Sequence, residues 1–183
     1  MAADHSTTHF ELFGLPRSFT VDSEQLDGRY RELQRTVHPD RFVNASDQQR
    51  RISMQQATNI NEGYQILKDP LRRGRYLLEL DGYQFNDEHH TTSDVEFLME
   101  QMELRESLGE VREADDAFTA LGLIMDRIRG DIDERIALLQ KQFEDDSSER
   151  FERIADTLTK MQFFRKLQEE AMDLEVTLED EIS

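Results

Sequence analysis

Leu26-Asp27-Gly28-Arg29-Tyr30-Arg31-Glu32-Leu33-Gln34-Arg35-Thr36-Val37-His38-Pro39-Asp40 is the stretch on which the reading of this chain turns. Leu26, Tyr30, Leu33 and Val37 recur at i, i+4, i+7 and i+11, one stripe of an α-helix. Asp22 followed by Gln25 reads as a capping box that starts this helix. Pro39 stops it, because a residue before proline is pushed out of the helical region. A polar loop over about residues 41–47 follows. A second stripe then carries Ala57, Ile60, Tyr64 and Leu67. Two helices on so short a loop pack antiparallel, stripe against stripe. On a helical wheel Arg31, Arg35 and His38 fall within about 60° of one another. They form a basic face turned away from the apolar stripe, with His38-Pro39-Asp40 at the tip of the hairpin.

Upstream, His9-Phe10-Glu11-Leu12-Phe13-Gly14-Leu15-Pro16 is an apolar turn stopped by glycine and proline. Downstream, Asp69-Pro70 reads as an N-cap with proline at the first helical position, opening a third segment to Leu80 that Gly82 ends. Residues 81–92 have no helical period and read as a linker. Ser93 with Glu96 is a second capping box. Three helical stretches follow, over about residues 94–111, 115–143 and 148–178. The middle one carries Phe118, Leu121, Met125, Ile128, Ile132, Ile136, Leu139 and Phe143. The last carries Phe151, Ile154, Leu158, Met161, Phe164, Leu167, Ala171, Leu174 and Leu178. Gly122 and Gly130 each cost about 1 kcal/mol relative to alanine, which the stripe absorbs. The expected architecture is all α: a helical-hairpin domain over residues 8–80, a linker over 81–92, and an elongated three-helix bundle over 93–183.

Composition narrows the function. The 183 residues include no cysteine, so disulfides, thiolate nucleophiles and Cys-ligated zinc or iron–sulfur sites are excluded. The net charge is −18, which makes nucleic acid an unexpected partner, because phosphate backbones repel it. That charge is uneven: residues 1–80 hold 11 basic and 11 acidic side chains, whereas residues 81–183 hold 11 and 29. Two halves so different suggest modules with different partners. No apolar run approaches the eighteen or so residues of a membrane span. Met1 to Glu11 has no basic stretch ahead of an apolar one, so a cytoplasmic rather than secreted protein is expected.

Catalytic templates are unmet. There is no Gly-x-x-x-x-Gly-Lys, Gly-x-Ser-x-Gly or His-Glu-x-x-His, so neither enzymatic activity nor a cofactor is expected. Asp131, Asp133 and Arg135 begin like a calcium loop, which fails at Ile136, where glycine is needed. His89-His90 reads as a solvated linker pair and Glu144-Asp145-Asp146 as a solvated turn. No metal is expected.

The first helix of the bundle splits into two faces. Phe97, Leu104, Leu108 and Val111 lie within about 60°, enough to dock on the other helices. Met99, Met102, Glu103, Glu106 and Glu110 lie opposite, with Leu98 between. Apolar residues rimmed by charge suggest a partner surface, and methionine is adaptable enough to suit one. The alternative is that a neighbouring helix buries the methionines. Phe163, about 100° from Phe164 on its helix, is either a wide-core residue or an exposed anchor.

The opening Phe10-Glu11-Leu12-Phe13-Gly14-Leu15, the His38-Pro39-Asp40 loop and Leu67-Lys68-Asp69-Pro70-Leu71-Arg72-Arg73-Gly74-Arg75-Tyr76 resemble the J-domain, in order and spacing. Phe97-Leu98-Met99-Glu100-Gln101-Met102-Glu103-Leu104-Arg105-Glu106 and Lys160-Met161-Gln162-Phe163-Phe164-Arg165-Lys166-Leu167 resemble the carboxy-terminal domain of the HscB family, the J-type co-chaperones of iron–sulfur cluster assembly. The similarity covers roughly residues 9–180 and looks like the bacterial form. The resemblance implies a co-chaperone whose J-domain docks on the DnaK-type ATPase HscA through His38, Pro39, Asp40, Arg31, Arg35 and Arg41, with Arg29 assisting. It also implies that Leu98, Met99, Met102, Glu103, Glu106, Glu110 and Phe163 hold the scaffold IscU. Alternative readings are a general J-domain co-chaperone for unfolded clients and a helical adapter outside the chaperone system.

Overall fold

A computed structural model describes residues 7–42, 45–85 and 94–182. Among these residues there are helices and no strand, as the two periodicities require. They fall into two compact units divided between Asp81 and Gly82.

The amino-terminal unit holds α1 (His9–Phe13), α2 (Ser23–Thr36), α3 (Asp47–Lys68) and α4 (Pro70–Leu80), with a 3-10 turn over Pro39–Phe42. The opening segment is a short helix rather than the expected turn. The Thr8 hydroxyl accepts the N–H of Glu11 at 3.2 Å, the Glu11 carboxylate accepts that of Thr8 at 2.8 Å, and Gly14 closes the far end at φ 63°. A capping box and a left-handed glycine thus fix five residues too short to show a period. Asp22 caps α2 alone, taking the N–H groups of Glu24 and Gln25 at 2.9 and 3.0 Å, in place of the reciprocal box with Gln25. Asp69 caps α4 ahead of Pro70, and Gly82 adopts φ 80° just past it, as the sequence predicts.

The register of α2 on α3 is antiparallel. The Tyr64 hydroxyl donates to Asp27, the Tyr30 ring stacks on Tyr64 at 4.0 Å, the Gln34 amide donates to Asn61, and the Ser53 hydroxyl reaches the Val37 carbonyl. Rising numbers on one helix meet falling numbers on the other. Phe10, Phe13, Leu26, Ile60, Leu67 and Leu78 form the core of this unit. Arg73 is also buried: it donates to the Leu67 carbonyl at 2.5 Å and lies 5.0 Å from the Phe19 ring, so it closes the carboxyl end of α3.

At Gly63 the close approach of α1 leaves no room for a side chain. An added Cβ would lie 2.8 Å from His9 Nδ1 and 3.0 Å from Phe13 Cε2. The His9 imidazole is already held below its ordinary pKa, because burial disfavours its charge more than Glu62 and Glu79 favour it. Gly63→Ala should therefore destabilise this unit by about 1–3 kcal/mol, the range for overpacking, despite alanine's better helix propensity. Urea denaturation followed by circular dichroism checks the sign, and a stabilised variant would refute the crowding argument.

The carboxy-terminal unit holds α5 (Val95–Glu110), a 3-10 turn (Val111–Glu113), α6 (Ala117–Glu144) and α7 (Arg150–Ile182). Asp94 caps α5 by accepting the Phe97 N–H at 3.1 Å. Ser93, the expected cap, lies outside the described residues. Leu121, Ile128, Ile132 and Leu139 on α6 and Ile154, Leu158, Met161, Phe164, Leu167 and Ala171 on α7 are buried, as the stripes predict. Phe118 is not: it is 40 % exposed. It sits about 60° around the helix from Leu121, on the flank of the stripe in the first turn.

The acidic turn carries local bonds, and part of the expected linker packs. Glu144 and Asp146 face solvent, as a solvated turn requires, while the partly exposed Asp145 also accepts the Ser147 N–H at 3.0 Å and pairs with Arg153, so it ties the α6–α7 connection together. Its pKa is held down, chiefly by the Ser147 hydroxyl. Within the expected linker, Tyr83 stacks on Phe151 at 5.7 Å, because an aromatic ring gains by leaving water. Residues 86–92, His89-His90 among them, lie outside the described residues.

Candidate functional site

Pro39 and its neighbours shape the end of the α2–α3 hairpin. α2 stops at Thr36, and Val37 leaves the helix at φ −107°, ψ 9°. His38 is therefore not on the helical wheel with Arg31 and Arg35, because the wheel was extended past the residue where proline ends the helix. Arg31 and Arg35 still share one exposed face of α2. Arg41 approaches them by another route, since its guanidinium donates to the Arg35 carbonyl at 3.3 Å from within the 3-10 turn.

The turn itself is ordered by local bonds. The Asp40 N–H donates to His38 Nδ1 at 3.3 Å. The Asp40 carboxylate lies 3.6 Å from the same nitrogen. Both side chains are open to solvent, at 59 % and 86 % exposure. His38, Pro39, Asp40, Arg31, Arg35 and Arg41 thus occupy one end of one hairpin.

In the other unit, α5 divides as its sequence suggests. Phe97, Leu104, Leu108 and Val111 are buried. Leu98, Met99 and Met102 are exposed, Met102 at 73 %, beside exposed Glu103, Glu106 and Glu110. Among the described residues no neighbouring helix covers the methionines. A groove of about 740 Å³ runs beside them, lined by Val95, Phe97, Met99, Glu103, Arg127 and Lys160. Lys160 bonds the Asp94 carboxylate at 2.8 Å and is the chief reason that group titrates below its usual range.

Phe163 is neither of the two expected alternatives alone. It is half-buried, edge-on to Phe97 at 5.8 Å and to Phe164 at 5.5 Å, with the Arg105 guanidinium 5.7 Å from its ring. One edge belongs to the core and the other remains at the surface.

Sequence reasoning missed Arg135. Its side chain is only 15 % exposed and lies 4.2 Å from the Phe164 ring and 3.5 Å from Asp131. Burial, together with Glu100, pushes the Asp131 carboxyl up. The signal was available, since Arg135 follows Ile132 by three residues and precedes Leu139 by four, the spacing of the buried stripe. The contact of Ser53 with Val37 had no comparable signal.

Among the described residues no group of three or more His, Asp or Glu side chains is placed to hold a metal, and no helix is long and apolar enough to cross a membrane.

Comparison with known proteins identifies both units. A family model described as the DnaJ domain matches residues 8–76, and one described as the HSCB C-terminal oligomerisation domain matches residues 93–172. The chaperone HscB from Vibrio cholerae is 40 % identical, over 94 % of this chain and 99 % of that one, with a TM-score of 0.83. The human co-chaperone protein HscB is 33 % identical, over 97 % of this chain and 86 % of that one, with a TM-score of 0.85. The Jac1 co-chaperone from Saccharomyces cerevisiae, at 21 % identity over 92 % of this chain and 96 % of that one, shares the fold with a TM-score of 0.72. With a DnaJ domain and an HSCB C-terminal domain in one chain, and relatives 40 % and 33 % identical over nearly all of it, the chain belongs to the HscB family, the J-domain co-chaperones of iron–sulfur cluster assembly.

Proposed function

We propose that this chain stimulates the ATPase of the DnaK-type chaperone HscA and delivers the scaffold IscU to it in the cytoplasm. The observation that carries this reading is the pairing in one chain of an exposed His38–Asp40 turn, flanked by arginines, with an exposed Met99/Met102 face rimmed by glutamates. The turn supports docking on the ATPase: Pro39 stiffens it, so little entropy is lost on binding. Arg31, Arg35 and Arg41 steer that encounter toward an acidic surface, and the contact weakens as salt rises. Leu98, Met99 and Met102 supply apolar area to the scaffold, with Glu103, Glu106, Glu110 and the open edge of Phe163 around them. Linking both surfaces in one chain raises the effective concentration of the scaffold at the chaperone. This chain contributes no thiolate ligand, since it has no cysteine, so the cluster stays on the scaffold. It hydrolyses nothing itself.

The test is the steady-state ATPase rate of HscA, titrated with this protein in the presence and absence of IscU. Met99→Ser combined with Met102→Ser should raise the IscU concentration at half-effect by roughly tenfold or more, the scale of losing apolar anchors at an interface. Stimulation without IscU should not change. A wild-type protein that leaves the ATPase at its basal rate would sink the reading.

A further inference from the structure

The carboxyl end of α2 lacks the backbone donors that a continuing helix would supply. In an α-helix the carbonyls of residues 35 and 37 accept the N–H groups of residues 39 and 41. Residue 39 is proline and has none. The Arg41 N–H is diverted to the His38 carbonyl at 3.0 Å. An acceptor left unpaired at a buried residue is unfavourable, and Val37 is 5 % exposed, so a side chain partner is favoured there. The Arg41 guanidinium takes the Arg35 carbonyl at 3.3 Å, and the Ser53 hydroxyl takes the Val37 carbonyl at 3.0 Å.

We propose that Ser53, on α3, is the positioning residue of the His38-Pro39-Asp40 turn. It is 5 % exposed and holds the peptide immediately ahead of His38 from across the hairpin. A serine inside a helix ordinarily bonds back to the carbonyl four residues before it. Here the hydroxyl is given to another element instead. Sixteen residues separate donor and acceptor, so the bond ties the turn to α3 rather than to its own helix. The Val37 side chain is buried at 5 %, which anchors the same residue from its apolar side. With both ends of Val37 fixed, the next residue leaves the helix in one direction, and the His38 ring and Asp40 N–H meet at 3.3 Å. Ser53 touches no partner. It acts by removing conformational freedom that docking would otherwise have to remove.

This inference rests on the ATPase-stimulating role proposed above, and two measurements on Ser53→Ala separate the two claims. The first needs no partner: amide hydrogen exchange of the full chain. Exchange at His38, Asp40, Arg41 and Phe42 should speed up about three- to tenfold, the loss of one hydrogen bond, while the core of α3 and α4 keeps its protection. The second is the ATPase titration with HscA. The half-maximal concentration of the variant should rise by a similar factor, about three- to tenfold, with the same maximal rate at saturation, because the contacting residues are unchanged. Exchange at wild-type rates in the turn overturns the inference. So does exchange that rises uniformly over α2, α3 and α4, or a lower maximal rate with an unchanged midpoint. If the wild-type protein fails to stimulate HscA, the functional proposal falls, and the exchange experiment still decides whether Ser53 positions the turn.

Discussion

His38→Gln is expected to leave the HscA ATPase near its basal rate at the concentration where the wild type gives half-maximal stimulation, with helix content and melting behaviour unchanged. The ring is well exposed and lies beyond the end of α2, so replacing it neither opens a cavity nor uncaps a helix. What changes is the turn. The imidazole accepts the Asp40 N–H through Nδ1 at 3.3 Å and leaves the rest of its ring open to solvent. Glutamine is longer, has no ring to hold the two nitrogens in fixed opposition, and pays more rotamer entropy on docking. The loss thus combines a contact with the pre-organisation of its neighbour, and central contacts of that kind cost about 2 kcal/mol or more, some 30-fold in affinity. An ATPase titration extended well past the wild-type midpoint checks this. A variant that stimulates as well as the wild type would remove the His38 turn from the mechanism.

Phe164→Ala is expected to give the largest loss of stability, about 3–5 kcal/mol in the carboxy-terminal unit. Phe164 is fully buried, and three aromatic or cationic groups depend on its ring: Phe97 at 5.7 Å, Phe163 at 5.5 Å and the Arg135 guanidinium at 4.2 Å. Truncation leaves a cavity and also takes from a largely desolvated cation the nearer of its two aromatic faces, leaving only the Phe97 ring at 5.6 Å. Because α5 packs through Phe97, its exposed methionine face loses definition, so IscU affinity falls too. The amino-terminal unit has its own core, and stimulation of HscA without IscU should persist. Urea denaturation read by residue-resolved hydrogen exchange on α7 checks the magnitude. A loss below about 1 kcal/mol, the scale of a mild core change, would show that the aromatic cluster is not what holds this unit.

The periodic elements were legible in the residues because their causes are local. Leu26, Tyr30, Leu33 and Val37 announce α2 by spacing, Asp22 and Asp69 announce caps by chemistry, and Phe97, Leu104 and Leu108 separate the buried face of α5 from Met99 and Met102. A side chain four residues along a helix is a neighbour whatever the rest of the chain does. The resemblance to the HscB family, carried by short motifs at the right spacing, was legible for the same reason. Elements without enough residues to show a period were not: α1 is held by one capping box and one left-handed glycine. Nor could a helical wheel place His38, since it assumes a helix that proline has already ended. Contacts between distant residues remained hidden altogether. Ser53 reads as an ordinary polar residue until α3 folds back on α2, and the spacing that puts Arg135 on the buried stripe does not say that Phe97 and Phe164 enclose it. Tyr83 reads as linker until it meets Phe151. The burial of such a polar or aromatic group is decided by what comes to lie against it, and that partner is fixed only when the helices pack.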